Sequence, residues 1–242
     1  MGIFLLDDNH PEFFPDPRLS DDHGLVAVSK GLGIKRLITA YRQGIFPWMK
    51  MECSPNYWCW FSPDPRMCLY PDEFKVPRSL KKALKERRFQ IRVDQNFEEV
   101  MRRCAEIKRS HESSSWIETD MIEQYSELHR LGIAHSIEAY EAKQLVGGLY
   151  GLAMGRVFFG ESMFHQVSEA SKACMACLVK ISQLNGIELI DCQVYNQFLQ
   201  SLGAREVARE DFLSQLKDIC QGTSSSADWK SYAQQDDLLL LP

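Results

Sequence analysis

No run of apolar residues in this 242-residue chain approaches the roughly 18 needed to cross a bilayer as a helix. The first residues, Met1-Gly-Ile-Phe-Leu-Leu-Asp-Asp8, lack a basic stretch followed by a long apolar one, so no secretory signal is expected. Leu6 stands where a myristoylation signal needs Ser or Thr. There is no cationic excess either. The net charge is -5, which excludes a general attraction to nucleic acid or anionic lipid and leaves such binding to a local patch. The eight cysteines include one Cys-x-x-Cys, at Cys174 and Cys177, with no second copy and no nearby histidine pair. Without a secretion signal they read as free thiols in a reducing cytoplasm, and Cys174 and Cys177 as small buried hydrophobes.

What is present is ordinary globular composition, 45% apolar and 25% charged, at a length that allows a sizeable core. Residues 1–23, with Pro11, Pro15 and Pro17, read as an extended lead-in. The spacing of Leu32, Ile34, Leu37, Ile38 and Tyr41 predicts a helix over 32–41 that stops at Gly44. Gly44-Ile-Phe-Pro-Trp48 reads as a stiff aromatic loop, and the prolines at 47, 55, 63, 65 and 71 place a domain junction near 64–71. Beyond it, helices are predicted over 78–88, 97–105, 121–131, 168–184, 196–202 and 211–219, and strands over 89–94, 134–140, 145–154, 157–164 and 188–194. The expected division is a small N-terminal domain over 1–65, a second domain over 66–222, and a loosely held tail over 223–242. The order of elements from residue 75 is α+β with a mixed, largely antiparallel sheet, which suits an acetyltransferase-like (GNAT-type) fold.

Two apolar strands carry acids. Glu161 lies in Val157-Phe-Phe-Gly-Glu-Ser-Met-Phe164, and Asp191 with Gln193 in Ile190-Asp-Cys-Gln-Val194. A carboxylate in such surroundings is costly to bury, so it has a partner or a task. Period-2 alternation puts Asp191 and Gln193 on one side of their strand and turns Cys192 toward the core.

A set of motifs in fixed order resembles one family. They include Phe14-Pro-Asp-Pro17, Gly24-Leu-Val-Ala27, Ala40-Tyr-Arg-Gln-Gly-Ile-Phe-Pro-Trp48, Phe61-Ser-Pro-Asp-Pro-Arg66 and Ser115-Trp-Ile117. Further on stand Ala134-His-Ser-Ile-Glu138, Leu145-Val-Gly-Gly-Leu-Tyr-Gly151, Phe159-Gly-Glu-Ser-Met-Phe164, Ala170-Ser-Lys172, Leu189-Ile-Asp-Cys-Gln193 and Ser201-Leu-Gly-Ala204. Over about residues 14–213 they look like the leucyl/phenylalanyl-tRNA–protein transferases. The chain departs from that pattern at Ser29-Lys-Gly-Leu32, at Glu169 where the family usually has Asn, and in the segment 51–57. These departures bear on donor and acceptor preference.

The resemblance implies an enzyme, an aminoacyltransferase. It would move Leu or Phe, with Met as a further donor, from aminoacyl-tRNA to the N-terminal amine of proteins beginning with Arg or Lys, marking them for N-end-rule degradation. It implies no metal and no separate cofactor; a monomer is expected. It assigns Asp191 and Gln193 to the attacking amine, as proton relay or as positioners, and a carboxylate of ordinary pKa favours positioning. Glu161, with Asp191, would supply negative charge for the cationic acceptor residue. Trp48 and Trp116 would stack on the terminal adenosine of the tRNA. Leu149, Phe158, Met163, Met175, Leu178 and Ile190 would line the pocket for the transferred side chain, adaptable because Met bends easily.

The residues add a patch of their own. Between 75 and 92 eight basic residues face one acid, and Arg78, Lys82 and Lys85 share a helical face suited to phosphate contact without sequence reading. His135 and His129 are candidate bases, but His135 reads as a structural histidine. Two other functions compete. An acetyl-CoA-dependent N-acetyltransferase needs a Gly-rich turn before a helix, and Phe164-His-Gln-Val-Ser-Glu169 has no glycine. A non-catalytic tRNA-binding module would have no use for acids at strand ends beside an apolar pocket.

Overall fold

The computed structural model describes residues 3–107, 117–222, 225 and 227–232. Its first sheet holds β1 (Phe4–Leu5), β2 (Leu25–Ser29), β3 (Phe46–Met51) and β4 (Ser54–Phe61), in the order β1-β2-β4-β3, with α1 (Ile34–Arg42) between β2 and β3. The remaining elements are β5 (Arg66–Leu69), α2 (Arg78–Lys85), β6 (Gln90–Val93), α3 (Phe97–Glu106), α4 (Thr119–Arg130), β7 (Ala134–Glu141), β8 (Gln144–Met154) and β9 (Val157–His165). They continue through α5 (Ala170–Asn185), β10 (Leu189–Gln193), α6 (Gln197–Ser201), β11 (Arg205–Val207), α7 (Arg209–Ile219) and α8 (Trp229–Tyr232). The second sheet has seven strands in the order β11-β5-β10-β9-β8-β7-β6. Among the described residues only β9 and β10 pair in parallel in this sheet, so the α+β, largely antiparallel expectation holds.

The helices and strands predicted from residue 78 onward form within a few residues of their expected ends. The sheet is covered on both faces, and successive residues alternate between two cores. Cys68, Leu152, Phe159 and Leu189 face one side with α1, α3, α4 and α7; Met67, Ala153, Phe158 and Ile190 face the other with α5.

Residues 44–61 differ from expectation: the stiff loop is a hairpin, β3 and β4. Pro47 is tolerated because β3 is an edge strand, and Pro55 lies at the start of β4. The unusual segment 51–57 includes the tip of that hairpin. Part of the expected tail is also packed. Trp229, 3% exposed, stacks on the His135 ring at 4.3 Å, and its burial together with that of Ala227 and Tyr232 offsets the cost of ordering this short segment.

The Gly-Gly-Leu-Tyr-Gly motif is steric. A Cβ at Gly147 would meet Ala170 Cβ at 2.6 Å, and one at Gly151 would meet the Phe159 carbonyl oxygen at 2.2 Å. Backbone cannot yield as a side-chain tip can. Gly151→Ala is therefore expected to cost about 3 kcal/mol. That lowers the thermal midpoint by roughly 6–12 °C; an unchanged melting curve by circular dichroism would remove this account of the glycine.

Candidate functional site

β9 and β10 run side by side only from Val157 and Leu189 to Phe159 and Asp191, and then part. At that level each strand carries one extra residue relative to its other neighbour. Gly151 and Tyr150 on β8 oppose Gly160 and Ser162, which leaves Glu161 as the extra residue of a bulge. Cys68 and Met67 on β5 oppose Asp191 and Gln193, which leaves Cys192 extra. Bulges re-aim side chains, and the two set the site. Gln193 also takes a left-handed backbone, φ 64°, a conformation that costs a non-glycine residue on the order of 1–3 kcal/mol.

The fork between the strands opens into a cavity of about 630 Å³. Its wall includes Leu149, Phe158, Met163, Met175, Leu178 and Ile190, the six pocket residues expected from the sequence, together with Trp48, Glu161 and Gln193. Trp48 is half-buried, set edge-on against Phe61 at 5.2 Å between ring centroids. Trp116 lies outside the described residues. Cys192 lines the cavity rather than turning to the core, since the bulge breaks the alternation on which that expectation rested.

Asp191 does not open on the cavity. It is fully buried and held by Arg66, whose Nε and Nη2 donate to Oδ1 and Oδ2 at 2.8 and 2.6 Å. Arg66 lies between the rings of Phe46 and Phe212, 4.8 and 4.7 Å from their centroids, and donates from Nη1 to the Gly44 carbonyl at 3.1 Å. Asp191 Oδ1 also accepts from the Gln193 backbone N–H at 2.9 Å, which helps hold the bulge. The expectation that Asp191 and Gln193 share one open side is thus corrected. The bulge separates them, and the charge of Asp191 is balanced inside the protein.

Glu161, 8% exposed, is the acid that faces the cavity. Its Oε1 accepts from Tyr41 Oη at 2.6 Å and from Gln193 Nε2 at 2.7 Å, and its Oε2 from Tyr125 Oη at 3.2 Å; the two tyrosine hydroxyls also touch. Burial pushes the Glu161 carboxyl from its ordinary 4.5 up to about 7, against the pull of these three donors, and the nearby Asp191 adds to the rise. Burial first, then the Glu161 charge, raise the Tyr41 and Tyr125 hydroxyls well above their ordinary range. Glu161 is therefore no ordinary carboxylate, and proton transfer is open to it where it would not be to an unperturbed one.

Arg66, Tyr41 and Tyr125 are the site residues that sequence reasoning missed. Arg66 and Tyr41 stood inside quoted motifs. Tyr125 sits in a plain amphipathic helix and carries no signal of its own.

The other expected residues lie elsewhere. Arg78, Lys82 and Lys85 are exposed on α2, with Lys82 3.9 Å from Glu86. Ser79 of that helix hydrogen-bonds Glu169, which stands in a left-handed conformation, φ 75°, at the start of α5. Burial raises the Glu169 carboxyl, but the Lys172 ammonium at 2.8 Å and the Ser79 hydroxyl prevail and hold it below its usual value. Cys174 and Cys177 are buried. Asp94, His129 and His135 place three ligand-type atoms within 4.8 Å of one another. Those atoms have protein partners. His135 Nδ1 lies 2.7 Å from Asp94 and Nε2 3.1 Å from the Gly132 carbonyl, while His129 Nδ1 meets the Ala134 carbonyl at 2.8 Å. The cluster ties α4 to β7 and reads as structural.

The chain matches known proteins along most of its length. The family model described as "Leucyl/phenylalanyl-tRNA protein transferase" matches residues 68–217, and that of the corresponding N-terminal domain matches 32–64. A leucyl/phenylalanyl-tRNA–protein transferase of Syntrophobacter fumaroxidans is 46% identical over 217 residues, 90% of this chain and 92% of its own. The one from Nitrosospira multiformis is 49% identical over 211 residues, 87% and 89% of the two chains. Among solved structures, a GCN5-related N-acetyltransferase from Kribbella flavida superposes with a TM-score of 0.37 at 10% identity, over 70% of this chain and 59% of that one. With two family models side by side and relatives near half identity along nine-tenths of its length, this chain belongs to the leucyl/phenylalanyl-tRNA–protein transferase family.

Proposed function

We propose that this protein transfers Leu or Phe, with Met as a further donor, from aminoacyl-tRNA to the α-amine of proteins beginning with Arg or Lys. In this reading it acts in the cytoplasm as a monomer, without metal or added cofactor, and directs its products to N-end-rule degradation. The small domain over 1–65 and the catalytic domain over 66–222 build the site together, with 223–242 as a C-terminal tail. The observation that carries the reading is Glu161, one buried acid opening onto an apolar cavity of a size that admits a Leu or Phe side chain.

The reaction is attack of an amine on an activated ester, so it needs a positioned amine and a polarised carbonyl. Asp191 and Gln193 serve it differently. Asp191, bound to Arg66, holds the bulge; Gln193 donates one N–H to Glu161 and keeps a carbonyl oxygen with which to accept from the amine. With Asp191 neutralised by Arg66, Glu161 supplies the negative charge for the acceptor. Trp48, with Trp116, would take the terminal base of the tRNA.

The acetyl-CoA alternative is disfavoured at the start of α5. A pyrophosphate there would meet the carboxylate of Glu169, which already occupies Lys172. Incubation with labelled Leu-, Phe- and Met-tRNA and peptides beginning with Arg, Lys, Asp or Met tests the whole reading. Turnover of acetyl-CoA with no transfer from any charged tRNA would replace it.

The exposed basic face of α2 is assigned to tRNA phosphates. Reversing Lys82 and Lys85 to Glu is expected to weaken tRNA binding for all sequences alike. It should also flatten the salt dependence by about one unit of slope for each phosphate no longer neutralised. Unchanged binding across a salt titration would take α2 out of the interface.

A further inference from the structure

Proton counting around Glu161 goes beyond its role as a counter-charge. Three oxygen centres form a closed triangle: the Glu161 carboxylate, Tyr41 Oη and Tyr125 Oη, each within contact of the other two. Three contacts need three protons. With Glu161 ionised the triangle holds two, one on each phenol. One contact is then short of a hydrogen. A single proton added to the carboxyl completes it. Glu161 Oε2 can donate to Tyr125, Tyr125 to Tyr41, and Tyr41 to Oε1, while Gln193 donates to Oε1 from outside.

We propose that Glu161 is the proton acceptor of the transfer step, and that Tyr41 and Tyr125 are positioning residues that receive its proton into a shared hydrogen-bond ring. The proposal rests on the reading of this cavity as the transfer site. In the step, the acceptor ammonium gives one proton to Glu161. The freed amine nitrogen forms a bond to the ester carbonyl carbon, and the bond from that carbon to the tRNA ribose oxygen breaks. A second proton from the nitrogen goes to the departing oxygen. The products are an amide, a free ribose hydroxyl and a protonated Glu161, which returns its proton to solvent.

Other groups bear on this carboxyl. Gln193 and Asp191 face it from β10, Asp191 carrying its Arg66 counter-charge from β5, and Tyr150 on β8 stands beside Tyr125 at 6.1 Å between ring centroids. Burial places the carboxyl near neutrality, where a base for an N-terminal amine is effective.

The test is the pH dependence of single-turnover transfer, with KM for an Arg-initiated peptide and the affinity for charged tRNA measured alongside. The wild-type rate is expected to fall on the acid side of about pH 7. Tyr41→Phe and Tyr125→Phe each remove a donor to the carboxylate, so each is expected to move that limb upward by about one unit. Neither should change tRNA affinity. Glu161→Gln is expected to lose at least about 100-fold at pH 7 and to recover part of it at pH 9, where solution supplies the free amine. Melting curves confirm that the variants fold. A uniform drop in rate with the limb unmoved would make the tyrosines merely structural and overturn the ring. Full activity of Glu161→Gln would overturn the base itself. Absence of transfer by the wild type would instead overturn the reading of the site, and the proposal with it.

Discussion

Arg66→Met is expected to lower the unfolding free energy by about 3–5 kcal/mol and to abolish transfer. Arg66 and Asp191 are both fully excluded from solvent, so removing one leaves the other as an uncompensated buried charge. Arg66 also satisfies the Gly44 carbonyl and fills the space between Phe46 and Phe212. Met keeps much of the volume and loses the charge, which isolates the electrostatic part. The double substitution Arg66→Met, Asp191→Leu separates the two consequences. Replacing both members of a buried pair by apolar residues is often neutral or stabilising, so the double variant is expected to regain most of the lost stability. It should not regain transfer, because the Gln193 backbone loses the Asp191 acceptor that fixes the bulge. Urea unfolding and the transfer assay on the three proteins check this. Recovery of activity with stability would show that the pair serves the fold alone.

Glu161→Gln is expected to lose transfer and, at alkaline pH, to gain stability. The sign follows from linkage. The carboxyl is near 4.5 when unfolded and near 7 when folded. Between those values the folded state holds a proton that the unfolded state has released. The contribution of Glu161 is therefore fully present below pH 4.5 and lost as pH rises through 7. At about 1.4 kcal/mol per unit, the swing is on the order of 3 kcal/mol. Gln does not titrate, so urea unfolding at pH 5 and pH 8 should show wild type losing stability that the variant keeps. A residue whose removal stabilises the fold while silencing the reaction is one retained for chemistry. Parallel pH dependence in the two proteins would contradict the burial argument.

The sequence is most legible where one physical rule acts alone. Helical spacing locates α3 and α4, each with one buried face, while β7, β8 and β9 stand out as apolar runs bounded by turn residues, because the sheet is buried on both faces. It fails at β3 and β4, where Pro47 and Pro55 argue for a loop and only the position of β3 at a sheet edge overrules them. The acids at 161 and 191 are recognisable as costly, but their partners are not. Arg66 and Asp191 are 125 residues apart, and Tyr41 and Glu161 are 120 apart. Nor can a bulge be foreseen. It is one residue too many relative to a neighbouring strand, and so belongs to the pairing and not to either segment. That is why alternation puts Cys192 and Asp191 each on the wrong side.

The ring around Glu161 and the bond from Arg66 to Gly44 both cross from the first sheet's part of the chain to the second's. On the proposed reading, catalytic competence is therefore a coincidence detector, met only when both parts of the chain are in place. Tyr41 and Gly44 lie on one side of the junction and Tyr125, Glu161 and Asp191 on the other, and the ring and the full anchorage of Arg66 are complete only when both sides are seated. A chain that has folded its long sheet but not docked α1 would keep the cavity wall from β8, β9, β10 and α5, yet its acid would lack the Tyr41 donor. Such an intermediate could hold an aminoacyl ester without consuming it.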